Sequence, residues 1–70
     1  MTTATYPVSG MTCEHCVRAV QTELQALEGV AEVRVDLVPG GTSTVTVVSV
    51  APLTGDAVSA AIDEAGYELA

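Results

Sequence analysis

The sequence predicts an α+β protein in which a four-stranded antiparallel sheet, in the strand order 4-1-3-2, carries two helices on one face. Apolar residues recur with a period of two in four short segments and with a helical period in two others, and the resulting order along the 70 residues is βαββαβ. Two βαβ halves of this length favour the split arrangement, and right-handed crossovers then set the strand order. We interpret residues 1–70 as a single domain, because no linker, repeat or low-complexity tract divides them.

The first strand and the first helix lie on either side of Gly10. Alternating apolar residues predict a strand over residues 4–8 that ends at Ser9-Gly10. Spacings of three and four residues then predict an amphipathic helix that starts near Cys13. Its apolar stripe is Val17, Val20, Leu24 and Leu27. Gly29 stands where a left-handed cap would end this helix.

The middle of the chain predicts a hairpin. Residues 33–37 alternate between apolar and charged, which indicates a strand with one solvent-facing side, and Pro39-Gly40-Gly41 predicts the turn. Residues 42–50 are rich in Val and Thr, as a strand should be, but neither side of this segment is uniformly apolar. We therefore expect this strand to bulge or to end early. Pro7 removes a ladder donor from a central strand, so it is expected near a break in pairing.

The second helix is predicted to begin after Thr54, which is a good N-cap. Its apolar stripe is Val58, Ala61, Ile62 and Ala65. Gly66 is expected to end it, and residues 67–70 form the last strand. If the first strand runs upward, the loop after it, the hairpin turn and Tyr67 all lie at the top of the molecule. The topology therefore predicts that the cysteine loop and Tyr67 are neighbours in space.

Composition and charge exclude several functions. The formal net charge is −7, and Arg18 and Arg34 are the only fixed cations. Nucleic acid binding requires clustered basic residues, and an anionic membrane surface requires them equally. No apolar run approaches the roughly 18 residues that would cross a bilayer. Residues 1–5 show no secretory signal, so we expect a cytoplasmic protein whose thiols stay reduced.

The only two cysteines and the only histidine of the chain lie within four positions, at Cys13, His15 and Cys16. Cys13 is predicted in the loop and Cys16 in the first helical turn, so both sulfurs can face one point. Amides at a helix start favour the Cys16 thiolate. Few, soft ligands select Cu(I), whereas structural zinc normally takes four ligands. The residues alone thus favour a Cu(I) site that stays open to a third thiolate.

Residues 10–16 read GMTCEHC and resemble the GMTCxxC motif of heavy-metal-associated domains. The similarity covers nearly the whole chain, including Gly29-Val30 after the first helix and Gly66-Tyr67 before the last strand. Within that family the chain is similar to stand-alone bacterial copper chaperones of the CopZ-like kind. Relatives that handle zinc or cadmium share the motif, so the motif leaves the metal open.

The resemblance implies a ferredoxin-like fold and a carrier without catalytic turnover. It implies that Cys13 and Cys16 bind Cu(I) and that the ion passes by ligand exchange to the metal-binding domain of a copper-transporting P-type ATPase. It further implies that Met11 is a buried prop under the loop and that Tyr67 lies next to the metal.

Other interpretations of these residues remain open at this stage. Thr12 or Cys13 caps the first helix, and His15 is a solvated residue, a group that tunes the thiols or a ligand in a copper-bridged homodimer. A thiol-disulfide oxidoreductase also uses CxxC, but it would be larger and would not carry an acidic residue between the cysteines. A zinc-binding or other heavy-metal-binding module and an N-terminal domain of a pump are the remaining alternatives. The start at Met1 and the absence of a linker weigh against a pump fragment.

Overall fold

The computed structural model describes all 70 residues and shows six elements in the predicted order. The strands are β1 (Thr2–Ser9), β2 (Val30–Asp36), β3 (Thr42–Ser49) and β4 (Glu68–Leu69). The helices are α1 (Glu14–Gln25) and α2 (Gly55–Glu64). Neither helix is long and apolar enough to cross a membrane.

The four strands form one antiparallel sheet in the order β2-β3-β1-β4, which confirms the predicted arrangement. β1 pairs with β3 along its whole length, but β4 pairs only with Val8 and Ser9. Pro7 lies where that second ladder stops: its carbonyl accepts the amide of Ala70 at 2.8 Å. The proline thus occupies a central strand at the end of a ladder, as its missing N–H requires.

The expectation that β3 bulges or ends early is wrong. β3 pairs residue for residue with β1, and its buried side consists of Ser43, Val45, Val47 and Ser49. Both serines can be buried because their hydroxyls find backbone partners: Ser43 accepts the Val38 amide at 2.9 Å, and Ser49 donates to the Ala51 carbonyl at 2.6 Å. The register shift of the sheet lies in β2 instead, between Val30 and Glu32.

The first helix ends earlier than Gly29 suggested. It is capped by Ala26 in the right-handed helical conformation, so Leu27 lies beyond the helix. Gly29 does adopt a positive φ of 86°, but it does so in the turn that leads into β2. The prediction that Gly29 is left-handed is confirmed, but the prediction that it ends the first helix is wrong.

The core lies between the sheet and the two helices. Ten apolar residues are buried there, and none of them is aromatic. They are Val8, Met11, Val20, Leu24, Val33, Val45, Val47, Val58, Ala61 and Ile62. α1 packs against β2 and against α2, whereas α2 packs against β4. Each helix therefore covers a different half of the same sheet face.

The second helix begins and ends as predicted. The Thr54 hydroxyl accepts the Ala57 amide at 3.2 Å, which is an N-cap bond. At the other end Gly66, with φ of 91°, lets the Tyr67 amide donate to the Ile62 carbonyl at 3.1 Å. This six-residue closure is a Schellman motif, and it fixes the direction in which the chain leaves α2. The strand that follows is shorter than predicted, because Tyr67 lies before it.

One end of the sheet gathers the segments that the topology brings together. Ser9, the last residue of β1, is opposite Thr42 of β3 and opposite Glu68 of β4. The loop after β1, the hairpin turn before β3 and Tyr67 are therefore all connected to that end. The candidate site lies there.

Candidate functional site

A short loop between β1 and α1 carries the two cysteines. Gly10 turns the chain with a φ of 94°, and Met11 then enters the core with its side chain fully buried. Cys13 is the N-cap of α1: its carbonyl accepts the amides of Cys16 at 3.1 Å and Val17 at 3.3 Å. The buried side chain of Met11 fixes the loop to the core, and the hydrogen bonds of the Cys13 carbonyl fix it to the start of α1.

The two sulfurs lie close together at the surface. Sγ of Cys13 is 3.8 Å from Sγ of Cys16, and both cysteines are free thiols. Cys13 is exposed, whereas Cys16 is half-buried and packs against the core. No group of three or more His, Cys, Asp and Glu side chains comes together anywhere in the chain. The chain alone thus offers a soft ion two sulfur ligands.

Hydrogen-bond donors around its sulfur lower the pKa of Cys16 to about 6, from an ordinary value of 9.0. The largest cause is the backbone amide of Thr12, followed by the hydroxyl of Tyr67 and then by the amide of Cys13. All three donate to the thiolate and therefore favour the charged form. The Thr12 hydroxyl, 3.9 Å from Sγ of Cys16, adds to this effect, and partial burial opposes it.

Tyr67 covers the site from the opposite end of the sequence. The ring lies beside Gly10, where a Cβ would be 3.5 Å from Cδ1 of the tyrosine, an ordinary contact distance. The pKa of Tyr67 is raised, first because its hydroxyl donates to Cys16, then because burial disfavours the charged phenolate, and last because that phenolate would lie beside the negative charges of the cysteine thiolates. A cavity of about 280 Å³ lies beside the ring. Its lining residues are Ser9, Gly10, Gly66, Tyr67 and Glu68.

The structure identifies the cap of α1, which the sequence left undecided, and places His15. Cys13 rather than Thr12 is the helix cap, and its side chain makes no capping bond, so the sulfur stays free for other partners. His15 is exposed, and it is not among the groups that lower the pKa of Cys16. The donor role of the Thr12 amide was not predicted, because Thr12 precedes the N-cap and the general preference for anions at a helix start does not extend to its amide.

The lowered pKa of Cys16 predicts how the stability of the metal-free fold depends on pH. Because the folded chain lowers the pKa of this thiol, the thiolate form stabilises the metal-free fold above the unfolded pKa near 9.0. That contribution shrinks as the pH falls toward the folded pKa of about 6 and is lost below it. We expect the rate of Cys16 alkylation by iodoacetamide to follow the same titration, with its midpoint near pH 6.

Tyr67→Phe tests the cause of this shift. Loss of the hydroxyl removes one donor to the thiolate, so the midpoint for Cys16 alkylation should move upward. Tyr6→Phe is the matched control, because Tyr6 lies in β1 and does not donate to Cys16. Mass spectrometry after digestion separates Cys16 from Cys13. An unchanged midpoint in Tyr67→Phe would show that the tyrosine hydroxyl does not contribute to the shift.

Comparison with known proteins places this fold and this loop in a family. A model of the heavy-metal-associated domain matches residues 5–68. The chain belongs to the heavy-metal-associated domain family.

Several of the similar proteins are named as copper proteins. The chain is 44% identical over 63 residues to the COP-associated protein of Helicobacter felis, and the alignment covers 90% of this chain and 91% of the relative. A solved structure of a CopZ metallochaperone superposes with a TM-score of 0.84 at 28% identity, over 99% of this chain and 100% of that one. The yeast copper transporter domain CCC2A, solved in apo and Cu(I)-loaded states, superposes with a TM-score of 0.78 at 28% identity, over 97% of this chain and 93% of that one. These neighbours confirm the predicted ferredoxin-like fold.

Proposed function

We propose that this protein is a cytoplasmic copper chaperone that binds Cu(I) through Cys13 and Cys16 and performs no catalytic turnover. The observation that carries the proposal is the pair of free thiols 3.8 Å apart, with no third His, Cys, Asp or Glu side chain beside them. Thiolates in low number suit Cu(I), whereas structural zinc requires four ligands. Both thiols must be reduced to bind, which fits the reducing cytosol.

The spacing of the sulfurs supports a site that can pass its ion on. With metal–sulfur bonds of about 2.3 Å, an ion held by both sulfurs would make an angle of roughly 110° between them. The outer side of the ion then stays open to a further sulfur ligand. Cys13 is exposed and Cys16 is half-buried, so an incoming thiolate reaches the ion on the Cys13 side.

We propose that the acceptor is a metal-binding domain of a copper-transporting P-type ATPase. The yeast domain with which this chain superposes is part of a copper transporter and is known with Cu(I) loaded. Transfer would proceed by ligand exchange. An acceptor thiolate bonds to the ion, Cys13 releases it, a second acceptor thiolate bonds, and Cys16 releases it last. No electron changes hands, and the ion stays monovalent throughout.

A thiol-disulfide oxidoreductase is the second candidate, because its attacking cysteine also needs a lowered pKa and Cys16 has one of about 6. The two functions differ in what they need. A redox enzyme reduces disulfides without any metal, whereas a carrier takes up one ion and gives it away.

Titration of the reduced protein with Cu(I) and with Zn(II), each against a competing chelator, tests the proposal. We expect one Cu(I) per chain, held more tightly than Zn(II), and transfer to a separate two-cysteine domain within the mixing time. Mass spectrometry during the titration shows whether copper bridges two chains. Failure to retain Cu(I) would contradict the carrier, and insulin reduction by the metal-free protein would support the redox function instead.

A further inference from the structure

The two cysteines are held by different parts of the fold. Cys13 belongs to the loop that follows β1, and the buried side chain of Met11 fixes this loop to the core. Cys16 belongs to α1, which packs against β2 and α2. β2 is not a neighbour of β1 in the sheet, because β3 lies between them. The separation of the two sulfurs therefore depends on how α1 lies on β2.

Apolar packing gives α1 few fixed points. Val20 and Leu24 are the only fully buried residues of this helix. Contacts between aliphatic side chains have no preferred direction, so they resist sliding and rotation of a helix less than a hydrogen bond does. The helix ends add little, since the Cys13 side chain makes no capping bond and no basic residue lies in the last turn.

One directional contact joins α1 to the sheet. Nε2 of Gln21 donates to the carbonyl oxygen of Val33 in β2 at 3.2 Å, and this bond is partly buried. No other side-chain hydrogen bond in the protein joins a helix to a strand. Gln21 lies on the same helix as Cys16, about 7.5 Å further along its axis. The bond therefore acts on the element that carries the second cysteine.

The Val33 carbonyl has no partner inside the sheet, and the register of the strands gives the reason. The Pro7 carbonyl accepts the Ala70 amide, so Pro7 faces β4, and its neighbour Thr44 on β3 faces β2. Backbone groups alternate in direction along a strand, so Val47, three residues further along β3, faces β1. Val33 is opposite Val47 in the ladder between β2 and β3, so its own backbone faces away from β3. The side chain from α1 supplies the missing donor.

We propose that Gln21 is a positioning residue for the metal site: its bond to β2 fixes α1 and thereby holds Sγ of Cys16 at the distance from Sγ of Cys13 that a shared ion requires. This role rests on the proposed function, in which both sulfurs bind one ion. An ion is bound more tightly when its two ligands are already in place, because less conformational freedom is lost on binding.

The distance between the sulfurs leaves little slack. With metal–sulfur bonds of about 2.3 Å, one ion spans at most about 4.6 Å between two sulfurs. Sγ of Cys13 and Sγ of Cys16 are 3.8 Å apart. A rotation of α1 by about 20° would move a sulfur that lies about 5 Å from the helix axis by roughly 2 Å. A loosely held helix would therefore spend part of its time outside the range in which both sulfurs reach one ion.

Phenylarsine oxide tests the position of the sulfurs without copper. This reagent bonds through its arsenic to two neighbouring thiols and releases water, and no electron is transferred. Gln21→Met keeps the length of the side chain and removes the donor. We expect this change to weaken the binding of phenylarsine oxide to the metal-free, reduced protein by about threefold to tenfold, the range that one hydrogen bond accounts for. Competition with dithiothreitol measures the affinity.

Cu(I) affinity should fall in Gln21→Met by a similar factor. The rate at which iodoacetamide alkylates Cys13 should not change, because that reaction needs only one thiol. Circular dichroism and urea unfolding establish that the variant is folded under the conditions of both titrations.

Gln25→Met is the matched control, because Gln25 lies one turn further along α1, is exposed and forms no hydrogen bond through its side chain. Thr54→Ala is the control for general stability, since it removes one side-chain hydrogen bond from the start of α2. Both controls should bind phenylarsine oxide as the native chain does. Equal binding by Gln21→Met and the native chain would overturn the proposal. An equal loss in Thr54→Ala would overturn it too, because stability alone would then set the affinity.

The positioning role and the carrier function fail separately in this experiment. A native chain that binds phenylarsine oxide but does not retain Cu(I) would contradict the carrier, while the comparison of Gln21→Met with Gln25→Met would still decide the role of Gln21. Retention of Cu(I) by the native chain, with equal affinities for both ligands in Gln21→Met, would contradict the positioning role alone.

Discussion

Cys16→Ser is expected to abolish tight Cu(I) binding, and Cys13→Ser is expected to do the same. Each replacement removes one of the two sulfurs, and the chain has no third His, Cys, Asp or Glu side chain beside them to compensate. The affinity for Cu(I) should fall by more than the roughly 10–100-fold that changes around a ligand usually cost. Competition with a Cu(I) chelator under anaerobic conditions measures it.

His15→Ser is the matched control for both variants. His15 lies in the same helical turn between the two cysteines and is exposed. Its replacement by serine therefore removes neither of the two sulfurs. We expect its Cu(I) affinity to stay within about tenfold of the native value, since an exposed residue that is no ligand contributes little. A loss as large as that of the cysteine variants would instead make His15 a ligand. Tight binding by both single cysteine variants would refute the dithiolate site.

The two cysteine variants should differ in their exchange with a donor. Cys13 is exposed and caps the helix without a side-chain bond, whereas Cys16 is held by the helix and by the donors around its sulfur. Cys16→Ser retains the accessible thiol and should still form a transient complex with a copper donor. Cys13→Ser should form this complex more slowly. Equal rates in stopped-flow mixing would show that the two thiols are equivalent in transfer.

The neighbourhood of Tyr67 and Cys16 could be predicted because it depends only on topology. Once the order βαββαβ and the antiparallel sheet are given, the loop after β1 and the chain after α2 must meet at one end. Gly66 adds a local reason, since its left-handed conformation completes the cap of α2 and directs Tyr67 toward the loop. Periodicity and glycine positions carry this information directly in the sequence.

The features that the sequence did not predict depend on tertiary partners of polar groups. Ser43 and Ser49 broke the apolar pattern of β3, yet the backbone near each serine satisfies its hydroxyl and allows its burial. The easier ionisation of Cys16 was expected from the helix start, but which groups donate to its thiolate, the Thr12 amide first among them, depends on where those groups point. A one-dimensional pattern records which residues are polar, but it does not record whether a backbone donor or acceptor lies within reach.

Met11→Ala is expected to cost about 2–5 kcal/mol of folding free energy, the range for removing a buried Leu, Ile or Met side chain. Met11 is fully buried and is among the largest side chains of a core that contains only ten residues. Small domains have a total stability of about 5–15 kcal/mol, so this variant should lose a large part of it. Urea unfolding of the metal-free protein measures the change. Met11→Leu keeps the volume and should cost less than about 1.5 kcal/mol.

Comparison with Leu24→Ala separates the stability of the fold from the anchoring of the loop. Leu24 is as fully buried as Met11, but it lies near the end of α1, about 16 Å along the helix from Cys13. Both alanine variants should lose similar stability. Only Met11→Ala leaves the cysteine loop without its anchor, so only this variant should also bind Cu(I) about tenfold more weakly when measured where both are folded. If the two variants lost equal amounts of Cu(I) affinity, Met11 would act only through the general stability of the fold. Its buried side chain would then have no specific role in holding the two sulfurs together.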